Sequence, residues 1–218
     1  GWINARFRFT SYSVGTPSYS GQESDGEVED HRIYIHGPVE DIKMLNPQYP
    51  DPYGFDIDCT SPNVIADDWQ CIESGPVTDL HFWISWLGDD IPDPGVYPNL
   101  GIAVLTVSIH SDIQAEQNPD GYSKPGDLLW ARDFVYDEFE WGWYLEGLQG
   151  WWSPPDLGMY MNPNHFHCFQ IDIPVIPDPF YQTAGTIYWL DISILLESGL
   201  ENQLVGWKTT FDHWNDDA

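Results

Sequence analysis

The chain has 218 residues, 35 of them acidic and 7 basic, for a formal net charge of −28. A nucleic-acid binder needs a cationic face, which seven basic residues do not build, and an anionic membrane surface repels such a chain. At 42% hydrophobic and 16% aromatic, it carries enough apolar side chain to bury a sizeable core, so disorder is excluded as well. Charge of this size opposes compaction by self-repulsion. Bound cations, calcium first among them, or a salty environment are the expected compensation.

The chain begins at Gly1 and carries no basic segment followed by an apolar one, which fits the mature form of a secreted protein. No run approaches the roughly 18 apolar residues of a spanning helix, so membrane insertion is not expected. The longest candidate, Ile187 to Leu196, is broken by Asp191 and Ser193. The cysteines are Cys59, Cys71 and Cys168, none in a CxxC pair. In an extracellular chain that odd count points to one disulfide and one leftover thiol, either buried or bonded to another chain.

Gly and Pro recur between short β-rich runs, which predicts an all-β, jelly-roll-like β-sandwich with an N-terminal extension. Residues 1–50 form the extension. Asn4 to Thr10 (NARFRFT) alternates polar and apolar and holds Arg6, Phe7, Arg8 and Phe9. An acidic run, Glu23 to Asp30, follows, and then a short strand at His31 to His36. The core spans 51–218. Its expected strands are Phe55 to Cys59, Val64 to Cys71, Val77 to Leu87, Gly101 to Ile109, Leu128 to Tyr136, Phe139 to Leu145, Phe166 to Ile173, Thr186 to Glu197, Val205 to Thr210 and Phe211 to Trp214. In the third, Leu80, Phe82, Ile84 and Trp86 share one face, and Asp79, His81, Trp83 and Ser85 share the other. Gly101 to Ile109 is apolar on both faces and reads as a central strand.

The stretches IADDWQC (65–71), SGPVTDLHFWISWLGDD (74–90), LTVSIHSDI (105–113), YSKPGDLLWARDF (122–134), GTIYWLDIS (185–193) and GWKTTFDHWNDDA (206–218) together resemble a family of secreted β-sandwich domains of bacterial and archaeal cell surfaces. The resemblance implies a secreted β-sandwich and supplies no catalytic residues. It also implies a disulfide between Cys71 and Cys168. Cys59 departs from the pattern and is left as the candidate free or intermolecular thiol.

Four constellations are candidates for function. Calcium takes six to eight oxygen ligands. If the first and last core strands lie side by side, Asp67 and Asp68 meet Asp216 and Asp217. His165 and His167, two apart on a strand, face the same way and are candidate metal ligands, with His81 or His110 as further ones. Trp151 and Trp152, read as a loop before Pro154-Pro155, are candidates for stacking on a polysaccharide. Arg6, Phe7, Arg8 and Phe9 are candidates for adding a strand to a neighbouring acidic subunit, with Cys59 securing the contact. Motifs of the GxSxG, HExxH, P-loop and GxGxxG kinds are absent.

The expectation is therefore a non-catalytic extracellular subunit of a homo-oligomer or polymer: a filament, sheath or surface layer. The second expectation is a calcium-stabilised carbohydrate-binding module.

Overall fold

The computed structural model describes residues 2–9, 27–34, 43–45, 47–153, 158–210 and 215. The chain separates into two compact units, Gly1–Asp41 and Ile42–Ala218. In the first, β1 (Trp2–Phe9) pairs antiparallel with β2 (Glu27–Tyr34) along its whole length, with Arg6 opposite Asp30 and Phe7 opposite Glu29. Among the described residues these two strands make up the sheet, each paired along one edge. The strand expected at His31 to His36 starts earlier, at Glu27, because the acidic run before it joins the pairing.

The second unit is an all-β, sandwich-like fold. Its strands are β3 (Phe55–Asp58), β4 (Ile65–Gln70), β5 (Gly75–Pro76), β6 (Leu80–Trp86), β7 (Ile102–Ile113), β8 (Lys124–Phe134), β9 (Glu140–Ser153), β10 (Gly158–Ile173), β11 (Tyr181–Gln182), β12 (Ile187–Leu196) and β13 (Val205–Lys208). One layer is a four-stranded sheet in the order β4-β12-β7-β8. As its apolar content predicts, β7 lies inside this sheet and is paired on both sides. The other layer closes on itself in the order β10-β6-β13-β3-β9, with β9 and β10 paired to complete the ring.

Two features allow the ring to close. The β9–β10 register shifts three times, between Tyr160 and His165, His165 and His167, and Cys168 and Phe169. Such irregularities bend a strand and raise its twist. The remaining seam is β3 against β9, the one parallel strand pair among the described residues, with Phe55 opposite Gly150. The Phe55 ring lies 2.5 Å from where a Gly150 β-carbon would stand, so this approach requires glycine.

The apolar core fills the space between the layers. The ring contributes Phe82, Ile84, Trp86, Phe169, Ile171, Ile173 and Val205, and the sheet contributes Ile65, Leu105, Val107, Phe134, Ile192 and Ile194. Burying each such side chain stabilises the fold by about 1.5–3 kcal/mol. Phe82, Ile84 and Trp86 are buried here and Leu80 packs at the margin, as the alternation in β6 predicts.

Candidate functional site

The strands of the ring alternate, and their second face is polar. On β3, Ile57 and the following Cys59 point to the apolar core, while Asp56 and Asp58 point the other way. On β13, Val205 and Trp207 reach the core, and Gly206 and Lys208 occupy the opposite face. Hydrogen bonds between strands that are not neighbours show where this second face lies. His165 on β10 bonds to Asp56 on β3, and Ser85 on β6 bonds to Gln149 on β9. The polar face is therefore the interior of the ring.

Its centre is Asp56. The antiparallel register sets Lys208 directly opposite it. Lys208 Nζ donates to Asp56 Oδ2 at 2.9 Å, and His165 Nε2 stands 2.8 Å from the same oxygen. All three side chains have zero exposure. Among the described residues no donor reaches the other carboxylate oxygen, Oδ1, which is also buried. His165 Nδ1 lies 2.5 Å from Asn164 Oδ1. An amide oxygen only accepts, so Nδ1 carries a proton and donates.

Trp151 covers this centre. Its ring meets the His165 ring edge-on, with centroids 6.0 Å apart, and its Nε1 donates to Ser153 Oγ, which donates in turn to Asp58 Oδ2. A β-carbon on Gly206 would stand 2.8 Å from the Trp151 ring and 2.9 Å from Asp56 Cβ. Glycine is what lets the indole reach the acid.

Several expected site residues lie elsewhere. Cys71 and Cys168 are both free, so the expected disulfide is absent. Cys71 directly follows β4 of the four-stranded layer, where it packs with Ile109 and Tyr188 and its thiol donates to the Glu73 carbonyl. Cys168 lies in the other layer, on β10. Burial and then the Asp56 charge push its thiol up, against a smaller opposing effect of Lys208 and Ser85. Cys59 is wholly buried and also free, so it is not placed to bond to a neighbour. Burial, followed by the charges of Asp58 and Asp56, pushes that thiol up and away from the reactive thiolate.

Trp151 is fully buried, contrary to the loop expected there. The reason is that β9 runs on to Ser153, and alternation then turns Trp151 into the ring and Trp152 outward. Trp152 is 36% exposed, so the expected two-tryptophan platform does not form.

His165 and His167 do not face the same way either. A register shift lies between them. It leaves His165 in the ring and His167 half-buried beside Asp89, with Nδ1 3.0 Å from Oδ1. His81 pairs with Asp172 at 2.5 Å and His110 with Asp191 at 3.1 Å, so neither joins them. Among the described residues no three His, Cys, Asp or Glu side chains are grouped to hold a metal ion.

Asp68 is buried in β4 and receives the side-chain amide of Asn215. Asp67 accepts the Asp68 backbone N–H. Asp216 and Asp217 lie outside the described residues. Arg6, Phe7, Arg8 and Phe9 all lie on β1.

The Asp56 centre was not singled out from sequence. The available signal was an acid at every second position of Phe55 to Asp58, together with a lysine ending an apolar strand.

A two-layer all-β domain, one layer of which is a ring with a charged, dry interior, is the class that these features define. Residues 44–218 match a domain of unknown function, DUF7901, and the chain belongs to that family. No curated protein and no solved structure matches it.

Proposed function

We propose that the chain is a non-catalytic, extracellular structural subunit that assembles with copies of itself by strand addition at its N-terminal strand pair. One observation carries the reading: β1 and β2 form a two-stranded sheet in a unit of their own. A lone hairpin is marginal in water, and an open strand edge is a template for another chain. The sequence adds a charge argument. Arg6 and Arg8 lie on β1 of a chain whose net charge is −28, so a neighbouring copy offers them an acidic surface. The same charge makes copies repel one another. Assembly is therefore expected to strengthen with salt or with calcium, which screens or binds the carboxylates.

The test is light scattering on the full chain and on a variant lacking residues 1–41, across salt and calcium concentrations. The full chain is expected to form large particles. The truncated chain is expected to stay monomeric with an unchanged circular-dichroism spectrum. A full chain that is monomeric under every condition, or a truncated chain that still assembles, overturns the reading.

A further inference from the structure

The centre inside the ring has no part in strand addition, and its chemistry points to a modification of the chain by itself. We propose that Lys208 and Asp56 join through an intramolecular amide (isopeptide) bond that ties β13 to β3, with His165 as the proton carrier.

Three observations support this. The first is proximity. Lys208 Nζ lies 2.9 Å from Asp56 Oδ2, so it has only to pass from that oxygen to the carbon bearing it. The register that places the two residues opposite each other holds them there. A nucleophile held against its target in this way reacts at an effective concentration far above any in solution.

The second is dryness. Both side chains have zero exposure, and the Trp151 indole and Asp56 Cβ both close on Gly206, leaving no room there for a β-carbon. In water an amine and a carboxylic acid exchange a proton and rest as an unreactive ion pair. Bond formation uses the neutral pair, with a free lone pair on nitrogen and an electrophilic carbon, and a site closed to solvent keeps water from competing for that carbon. A buried ion pair is by itself poor stabilisation, and Asp56 Oδ1, with no donor among the described residues, makes this one poorer.

The third is the proton. Since His165 Nδ1 donates to Asn164 Oδ1, the 2.8 Å contact between Nε2 and Asp56 Oδ2 holds one proton, on the imidazole or on the acid. That proton lies in the contact to the oxygen that must leave.

The step balances without a cofactor. The Nζ lone pair forms the bond to Asp56 Cγ, and Oδ1 takes up negative charge as the carbonyl opens. The Cγ–Oδ2 bond then breaks as the carbonyl re-forms. Oδ2 departs as water with the proton of the Nε2 contact and a second proton from the attacking nitrogen, relayed by His165. The amide nitrogen keeps one hydrogen. Nothing is oxidised or reduced.

The amide joins the first strand of the ring to the last, residues that lie 152 apart in the chain.

Intact-mass spectrometry of the folded full chain tests the proposal. The protein is expected to be lighter than its sequence by one water, and a disulfide is not confused with this because it removes two hydrogens only. Proteolysis is expected to yield one branched peptide joining the segments around residues 56 and 208. Lys208→Met removes the nucleophile and should restore the full sequence mass. His165→Gln leaves both reacting groups in place and should slow closure roughly a hundredfold after refolding, read as mass against time. A folded wild-type chain at full sequence mass overturns the proposal and leaves a plain buried ion pair. Water loss that persists in Lys208→Met, or a branch mapped elsewhere, overturns it equally.

Discussion

The ring strands bury two faces, and the two are chemical opposites. One face meets the four-stranded sheet through the apolar side chains of Phe82, Ile84, Trp86, Ile171 and Val205. The other looks into the ring and sequesters Asp56, Asp58, Ser85, Gln149, His165 and Lys208. Area burial stabilises the first. The second gains little from area, and each of its groups depends on a named partner. The apolar face therefore tolerates a change of shape better than the polar face tolerates the loss of one member.

The sharpest way to break this comparison is one truncation on each face. Asp56→Ala leaves Lys208 and His165 buried without the acid that both contact. The expected loss is about 3–5 kcal/mol, read from urea denaturation midpoints. Ile84→Ala, at zero exposure on the apolar face, should cost about 2–5 kcal/mol as transfer plus cavity. Both are large, but only the first should also abolish the mass deficit. If Asp56→Ala proves neutral or stabilising, the polar interior is not a structural element, and the ring is held by its apolar face alone.

Gly206→Ala tests the seam between the two faces with a smaller expected effect. The added β-carbon has no room between the Trp151 ring and Asp56 Cβ, and overpacking of this kind costs about 1–3 kcal/mol. Because Trp151 must then shift from the charged centre, hydrogen exchange on β3 and β13 should rise more than on β7. An even rise across both layers would mean that the indole does not shield the centre.

Legibility from sequence followed the same division. The apolar face was readable because it is local: the alternation in β6 named Leu80, Phe82, Ile84 and Trp86, and the doubly apolar β7 read as interior. The polar face depends on closure, which no local pattern encodes. His81, Trp83 and Ser85 formed the second face of an ordinary strand until the ring turned that face inward. Asp56 and Lys208 meet only because the chain returns after 152 residues. Trp151 was misread because Pro154-Pro155 suggested a loop, whereas β9 continues to Ser153. His165 and His167 were misread because a simple two-residue period ignores the register shift between them. The Cys71–Cys168 pairing failed because the two residues sit in different layers.

That register shift gives the last and smallest test, at the rim of the ring. Asp89 accepts the backbone N–H groups of Phe166 and His167, beside that irregularity. Partial burial pushes its carboxyl up. The hydrogen bonds from His167 and Phe166 and the nearby imidazole outweigh that and hold it below the usual carboxylate range. A carboxyl depressed in the folded state binds its proton more readily when unfolded. Its contribution is thus complete above the ordinary carboxylate value of about 4 and fades as pH falls through the lower, folded value. Asp89→Asn keeps an acceptor but loses the charge, so it should cost about 1 kcal/mol at neutral pH. The difference from wild type should shrink on acidification below about pH 4. A gap that stays constant across that window would show that Asp89 acts by shape rather than by charge.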